Sequence, residues 1–242
     1  MGAFFYILWH FGKDLPDYRQ LSKYEPSVVS RVHAGNGALL KEYFTERRVF
    51  VPIDVIPKKI ISAFLSAEDK DFYKHIGVDL QAIIRALMTN LKNYGKGKRL
   101  VGASTITQQV AKNFLLSSEV TFERKIKEAI LAIRIERAFS KKEILELYLN
   151  EIYLGNNSYG IAAAALNYFD KSLDDLTIDE AAFLATLPKA PSKYNPKTNY
   201  ERVLDRRNWV LNQMYKNGYL TANEKNKFQS RKIALTKSSG LD

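Results

Sequence analysis

Residues 66–79 read Ser-Ala-Glu-Asp-Lys-Asp-Phe-Tyr-Lys-His-Ile-Gly-Val-Asp, and an apolar run leads directly into them. Ile60, Phe64 and Leu65 share one face of a predicted helix, and Glu68 falls on the same side. A carboxylate at the end of an apolar stripe is either paired in the core or faces a cleft. Burial raises the pKa of a carboxylate, and a raised pKa suits a general base. Glu68 is therefore the first catalytic candidate, and a capped, ion-paired helix end is the alternative.

Composition limits the class of protein. The chain has 242 residues, of which 46% are hydrophobic, enough for one large domain or two lobes around a cleft. Lys and Arg total 37 against 26 Asp and Glu, a net charge of +11. This excess predicts an anionic partner: nucleic acid, an anionic membrane surface or a phosphorylated substrate. The sequence has no cysteine and only three scattered histidines, which excludes disulfides, thiolate metal sites and a His-based metal site.

The N-terminal part divides into two predicted segments. Residues 1–15 are strongly apolar but too short to span a bilayer, which needs ~20 residues. We interpret them as a buried helix, an interfacial segment or the remnant of a membrane anchor. Residues 16–54 read as a connector with a β-hairpin, because two β-rich stretches flank the Asn36-Gly37 turn signal. Residues 55–242 are predicted to form the remaining domain.

From Pro57 onward the chain is predicted to be mainly helical. Capping residues precede apolar residues at helical spacing several times. Helix starts are predicted at Ser104 or Thr105, Thr121, Ser140, Thr177 and Thr221, and another helix covers residues 201–216. Residues 92–99 combine two glycines with four Lys or Arg and are predicted to be a mobile loop.

Two clusters of polar residues accompany these helix starts. Hydroxyl and amide side chains follow one another from Ser104 to Gln109, where free backbone N–H groups favour anions. The alternative is an ordinary cap followed by solvent-facing glutamines. Farther on, Arg124, Lys125 and Glu128 share a helix face away from the apolar stripe. These charges line either water or a cleft, and a plain ion pair is the alternative.

Five motifs stand in a fixed order along the chain. They are Glu-Asp-x-x-Phe-x-x-His-x-Gly at 68–77, Gly-x-Ser-Thr-x-Thr-Gln-Gln at 102–109, Arg-Lys-x-x-Glu at 124–128, Lys-x-x-Ile-Leu-x-x-Tyr-Leu-Asn at 141–150 and Arg-Arg-x-x-Val-Leu at 206–211. Residues 55–220 thereby resemble the peptidoglycan glycosyltransferase domain, glycosyltransferase family 51. This domain occurs in class A penicillin-binding proteins and in monofunctional transglycosylases.

The resemblance implies a fold and a reaction. The expected fold is mainly α, a lysozyme-like two-lobed glycosyltransferase domain with a small N-terminal β-hairpin. The expected reaction polymerises lipid II into β-1,4-linked glycan strands, with inversion and release of undecaprenyl pyrophosphate. No cofactor is required by the family, although Mg²⁺ or Mn²⁺ can stimulate it. The expected setting is the extracytoplasmic face of the cell membrane, with an attached transpeptidase domain in a longer protein.

The resemblance also assigns roles to residues. Glu68 is implied as the catalytic base and Glu128 as a second catalytic carboxylate, which orients cations or holds a divalent metal. Arg124 and Lys125 are implied to face the pyrophosphate. The remaining implied substrate-binding residues are Asp69, His75, Ser104, Thr105, Gln108, Gln109, Asn113 and Arg134.

Two other classes of function compete with this interpretation. A lysozyme-type hydrolase or lytic transglycosylase would also use a lone glutamate, but a sugar leaving group needs an acid and no cation cluster. A basic nucleic-acid-binding module would concentrate its charges on one exposed helix with base-reading partners. Here the charges are spread out and mixed with glutamates, which argues against nucleic acid as a partner. The partners that the resemblance implies are lipid II, the growing glycan chain and an anionic membrane surface.

Overall fold

The structure, a computed structural model, describes most of the chain from residue 49 onward and parts of the chain before it. The described residues are 11–13, 15–23, 30–33, 39–43, 49–95, 101–117, 119 and 121–236, with 23, 30–33 and 39–43 described by backbone alone. They divide into two compact units, each made of two stretches of chain. The first comprises Met1–Tyr24 and Asp71–Tyr148, the second Glu25–Lys70 and Leu149–Asp242. The domain boundaries drawn from the sequence stay predictions.

The described residues are mainly helical, as the sequence predicts. The α-helices whose bounds lie within the described residues are α1 (Lys58–Glu68), α2 (Leu80–Lys92), α3 (Ile106–Leu115), α4 (Phe122–Ala138), α5 (Lys141–Glu151), α6 (Ile161–Phe169), α7 (Ile178–Leu184), α8 (Tyr200–Lys216) and α9 (Ala222–Gln229). The two strands are β1 (Ser30–His33) and β2 (Leu39–Tyr43). Single 3₁₀ elements cover Tyr18–Lys23, Ile53–Val55, Leu187–Lys189 and Pro191–Tyr194.

The two strands pair antiparallel, with Ser30 opposite Tyr43 and a register irregularity after Val32. The turn predicted at Asn36-Gly37 lies outside the described residues. The same holds for residues 1–10 and 14 and for residues 96–99 of the predicted loop.

The predicted helix starts are confirmed by their hydrogen bonds. Thr121 Oγ1 accepts from the Arg124 amide at 3.1 Å. Ser140 N–H and Oγ–H both donate to Glu143 Oε2 at 2.7 Å, and these bonds hold the pKa of Glu143 below its usual value. Reciprocal boxes of the same kind begin α3, α7 and α9. Each box satisfies donors that the first helical turn leaves free.

The core of the first unit forms where α3 and α4 pack together. Ile106, Leu131 and Ile135 are fully buried there. Gly77, with φ +95°, brings the loop before α2 against this core, and an added Cβ would lie 2.6 Å from the Ala132 carbonyl. The loop that ends the first motif therefore lies directly on α4.

The core of the second unit forms among α1, α7 and α8, which pack against one another. Phe64 and Phe183 are completely buried, as is Val210 on α8. Helix α6 is apolar on nearly all sides, and most of its residues are buried. Glu68 is the last residue of α1, so this packing determines where its carboxylate emerges.

A second close backbone contact lies between Gly160 and Asn150, near the end of α5. Gly160, with φ +77°, lies so close to Asn150 that an added Cβ would be 2.4 Å from the Asn150 carbonyl oxygen. Asn150 in turn exchanges hydrogen bonds with the Val51 backbone, at 2.8 Å through Oδ1 and 2.9 Å through Nδ2. The fourth motif thus ends at a contact that only glycine permits.

Gly160→Ala should therefore destabilise the protein by at least about 3 kcal/mol, from backbone strain and the collision with Asn150 together. Gly218 has the same φ within a few degrees, +79°, but nothing lies within 4 Å of an added Cβ. Gly160 also has ψ 163°, a combination that essentially only glycine adopts. Gly218→Ala is therefore a control for a positive φ in open space, and it should cost about 1–2 kcal/mol. Urea unfolding of both variants measures the difference, and equal losses would show that the contact with Asn150 contributes nothing.

Candidate functional site

The second unit holds Glu68 and Asp69, and the first unit holds the ten other predicted site residues. Glu68 is half-buried, and Asp69, the C-cap of α1, is buried with 7% of its surface exposed. The positions of the site residues in each unit are therefore determined by the packing of that unit.

A lysine and a glutamate on α4 form the central contact in the first unit. Lys125 Nζ donates to Glu128 Oε1 at 2.5 Å and to Ser104 Oγ at 2.8 Å. The Glu128 side chain is only 3% exposed, whereas that of Lys125 is 44% exposed. A buried carboxylate is tolerated when a cation pairs with it. The pair therefore holds one ammonium group in a fixed place with part of its surface open to solvent.

The residues that begin α3 point in two directions. Ser104 is exposed and reaches Lys125. Thr105 and Gln108 are buried and complete the capping box, and Thr105 Oγ1 also donates to the Gly77 carbonyl at 2.6 Å. A direct substrate contact would require these two side chains to release their bonds, so their binding role stays a prediction.

His75 lies within a network that fixes the loop before α2. Its Nδ1 accepts from the Gly77 amide at 3.2 Å. Its carbonyl accepts from Lys141 Nζ at 2.8 Å, and Nζ also donates to Glu136 at 2.7 Å. The same ammonium lies 4.3 Å from the centre of the Phe72 ring. The predicted binding role of His75 stays a prediction, but its backbone has a defined structural role.

The Arg124 side chain has different surroundings from that of its neighbour Lys125. It lines a separate cavity of about 490 Å³ together with residues such as Pro16 and Leu115, and its Nε is buried without an acceptor among the described residues. Arg134 Nη2 donates to the Gly12 carbonyl at 3.3 Å. Asn113 is exposed on α3, and Gln109 is half-buried.

A cationic side chain from the fifth motif lies near Glu68. Burial lowers the pKa of Arg206 on α8, and the nearby carboxylate of Glu68 opposes this shift. The guanidinium is stacked on Trp209, 3.7 Å from the ring centre. The Arg-Arg-x-x-Val-Leu motif therefore supplies a positive charge in the neighbourhood of the predicted base.

Sequence reasoning missed Glu151, the last residue of α5. Burial raises its pKa to about 7, which makes it a carboxylate that titrates near neutrality. Perturbed carboxylates of this kind are concentrated at functional sites. The available signal was its position at the end of a helix with an apolar face, the same position that singled out Glu68.

The described residues offer little to a divalent metal. No group of three or more acidic, histidine or cysteine side chains in this part of the chain is arranged to hold one. Lys125 already binds the carboxylate of Glu128, the one metal ligand that the sequence suggested. Stimulation by Mg²⁺ or Mn²⁺ stays a prediction, and no step proposed below uses a metal. Within the same described residues, no helix combines the length and hydropathy needed to cross a membrane.

The family match and the relatives with similar sequences indicate the same family. Residues 36–215 match the family described as Transglycosylase. Penicillin-binding protein 1A of Rickettsia felis is 54% identical over 232 residues, which are 96% of this chain and 29% of the relative. The Aquifex aeolicus protein of the same name is 48% identical over 227 residues, 94% of this chain and 31% of the relative.

A solved structure is also similar. The crystal structure of Penicillin-Binding Protein 1A from Haemophilus influenzae aligns with a TM-score of 0.50 and 28% identity, over 88% of this chain and 22% of that chain. The chain spans less than a third of the length of these relatives. The resemblance drawn from the five motifs is confirmed at the level of the family.

Lys125→Met should destabilise the protein by about 1–3 kcal/mol, because it leaves the buried Glu128 carboxylate without its cation. The polar-face position of Lys125 alone predicts little loss, and the burial of its partner changes this expectation. Adding Glu128→Gln should recover much of the loss in a double-mutant cycle of urea unfolding. Lys127→Met, which breaks the more exposed pair with Glu123 on the same helix, should cost less than about 1 kcal/mol. Additive effects of the two site mutations would contradict the coupling.

Glu151 should make folding stability depend on pH. Its pKa of about 7 in the folded protein lies above the ~4.3 of an unfolded glutamate. Its contribution is therefore fully present below about pH 4 and is lost as the pH rises to about 7, because the unfolded state ionises first. Urea unfolding between pH 4 and 8 should show a smaller decline for Glu151→Gln than for the wild type. An equal decline in stability with pH for the variant and the wild type would contradict a raised pKa of Glu151.

Proposed function

Since this chain belongs to the transglycosylase family, we propose that it is a peptidoglycan glycosyltransferase that polymerises lipid II in bacterial cell-wall synthesis. The observation that carries the proposal is the ammonium of Lys125, which a buried glutamate and Ser104 hold in place while part of it faces solvent. A fixed cation of this kind suits a reaction whose leaving group is a pyrophosphate. We further propose a lysozyme-like, two-lobed arrangement of the domain.

The proposed reaction needs a base for a poor nucleophile. The 4-hydroxyl of N-acetylglucosamine in one lipid II attacks C1 of N-acetylmuramic acid at the end of the growing chain. Glu68 accepts the hydroxyl proton as the new β-1,4 bond forms with inversion. Its half-buried position at the end of α1 supports this role. Asp69, buried beside it, limits the movement of the base.

The leaving group needs cations rather than an acid. As the bond from C1 to the pyrophosphate oxygen breaks, negative charge develops on undecaprenyl pyrophosphate, and Lys125 stabilises it without donating a proton. Glu128 acts through Lys125 by fixing the ammonium. A hydrolase that releases a sugar would need a general acid at this place, whereas an ammonium paired with a buried carboxylate suits an anionic leaving group.

An exposed apolar face supports a membrane surface as partner. Five large side chains on one side of α2 are 57 to 75% exposed: Leu80, Ile84, Leu87, Met88 and Leu91. Their spacing forms a continuous stripe along the helix. A contiguous apolar stripe on a basic protein suits the interface of an anionic bilayer, where lipid II resides. We propose the extracytoplasmic face of the cell membrane as location, and a longer protein that also carries a transpeptidase domain.

Glu68→Gln should abolish polymerisation of labelled lipid II, because loss of a positioned base costs ~10²–10⁴-fold or more. The fold should be retained, since the substitution preserves shape. Glu201→Gln, an exposed position at the start of α8, is the control and should polymerise normally. Near-normal glycan strands made by Glu68→Gln would exclude Glu68 as the base.

The α2 stripe should bind anionic lipid. The Leu87→Asp and Met88→Asp double variant should lose most sedimentation with phosphatidylglycerol vesicles, because it places charge in the apolar stripe. Thr89→Asp adds charge on the opposite, exposed side of the helix and should reduce binding only slightly. If both variants lose binding equally, net charge rather than the stripe holds the protein to lipid.

A further inference from the structure

A partly exposed tryptophan on α8 has no role in the reaction proposed above. Trp209 is 39% exposed, and the Arg206 guanidinium stacks on its ring, 3.7 Å from the ring centre. Arg206 Nε is buried and has no acceptor among the described residues, so the stack rather than a hydrogen bond through Nε orients the guanidinium. The same contact restrains the indole, which keeps an aromatic surface in a defined place.

An amide side chain continues this surface along the helix. Gln213 follows Trp209 by four residues and therefore lies on the same side of α8. It is half-buried, its amide atoms reach solvent, and they form no hydrogen bond within the part of the chain that the structure describes. Arg206, Trp209 and Gln213, which we call the α8 strip, together cover about 10 Å of helix.

The α8 strip lies beside the end of α1 that carries Glu68. Helices α1 and α8 pack against each other within the second unit. Asn217, one turn beyond Gln213, donates through Nδ2 to Ser66 Oγ at 3.1 Å. Ser66 is two residues before Glu68, and the Glu68 carboxylate is close enough to act on the charge of Arg206. A ligand on the strip would therefore extend away from the predicted base.

We propose that the α8 strip binds the growing β-1,4-linked glycan strand, with a sugar ring packed on Trp209 and a neighbouring hydroxyl or acetamido group hydrogen-bonded to Gln213. This inference rests on the function proposed above and adds a binding surface to it. The C–H groups on one face of a pyranose ring pack on the electron-rich face of an aromatic ring. Since Arg206 covers one face of the indole, the sugar uses the other. An amide supplies both a donor and an acceptor to sugar substituents.

The composition of the strip favours a sugar polymer over lipid. A single aromatic ring between a guanidinium and an amide differs from the apolar stripe on α2, whose five large side chains are all hydrophobic. The length of about 10 Å exceeds one sugar ring, so the strip suits linked sugars. Its position next to Glu68 places such a strand where the end of the chain must react.

A strand bound at this surface has a measurable consequence for the product. Contacts away from the reacting bond hold the growing strand between successive additions, and loss of such contacts mainly raises the rate of dissociation. Loss of the Trp209 ring should therefore shorten the glycan strands. The first coupling of two lipid II molecules, which needs no long strand, should stay nearly unchanged.

The first experiment measures binding of chitotetraose, a β-1,4-linked oligomer of N-acetylglucosamine, to the full 242-residue chain. The sequence has two tryptophans, Trp9 and Trp209, so the Trp9→Phe variant reports on Trp209 alone. Its fluorescence should change saturably with chitotetraose and stay constant with maltotetraose, an α-1,4-linked oligomer of glucose. No saturable change, or an equal change with both sugars, would overturn the proposal.

Calorimetric titration of variants then locates the binding surface. Trp209→Ala should weaken chitotetraose binding at least about tenfold, and Gln213→Ala about threefold. Trp209→Phe keeps an aromatic ring and should recover much of the loss, which separates stacking from a damaged fold. Tyr215→Ala is the matched control, because Tyr215 is 41% exposed on a different side of α8. It should bind like the wild type, and an equal loss in Tyr215→Ala and Trp209→Ala would contradict a specific surface.

The second experiment compares the strands that the same variants make from labelled lipid II. Trp209→Ala should consume lipid II at nearly the initial rate of the wild type but give shorter strands, whereas Tyr215→Ala should give strands of normal length. Equal lengths from all three proteins would overturn the inference and leave the proposed function intact. If the wild type itself makes no strands, the proposed function fails, and the chitotetraose titration still decides whether the α8 strip binds glycan.

Discussion

The buried carboxylate of Glu128 is the constraint on which the arrangement of the first unit depends. A charge with 3% exposure must be paired, and Lys125 is the cation that pairs with it. The ammonium then fixes Ser104, the residue before the N-cap of α3. The N-cap itself, Thr105, holds the Gly77 carbonyl. One buried charge is thereby connected, through hydrogen bonds and the peptide bond between Ser104 and Thr105, to the loop of the first motif.

These hydrogen bonds divide the motif residues into a buried group that fixes the backbone and a group with surface that a ligand can reach. Thr105 and Gln108 are buried and fix the start of α3, while Lys141 fixes the backbone of His75. Ser104 and Lys125 keep surface that a ligand can reach. The first group makes the positions of the second reproducible, which is what electrostatic stabilisation of a leaving group requires. Mutation of the first group should reduce stability through lost scaffold contacts, and in the second group only loss of Lys125 should do so, because it leaves the buried Glu128 carboxylate without its cation.

Much of the fold is predictable because its signals are local. A Ser or Thr followed three residues later by Glu gave the starts of three helices, since a capping box needs no tertiary partner. The start of α3 was left between Ser104 and Thr105, and the structure places its capping box at Thr105. Helices α2 and α6 were not delimited in the same way. Helix α6 is apolar on nearly every side and begins at Gly160 without a side-chain cap, so it lacks both period and cap. Helix α2 has a period, but its apolar stripe faces solvent.

The candidate site was predictable in its residue types but not in its burial. The motifs identified the residues, yet which of them are buried depends on packing between distant segments. Thr105 and Ser104 are neighbours with opposite environments, and Arg124 and Lys125 face different surroundings. The raised pKa of Glu151 and the complete burial of Arg207 arise in the same way, from tertiary contacts that no local pattern records.

The central claim is that this chain builds glycan strands rather than cutting them. The measurement that tests it most directly gives the purified chain labelled lipid II in detergent in one reaction and purified cell wall in another. The account predicts long β-1,4-linked strands with release of undecaprenyl pyrophosphate in the first reaction and no solubilised sugar in the second. Soluble muropeptides from the cell wall, with lipid II left unpolymerised, would contradict it.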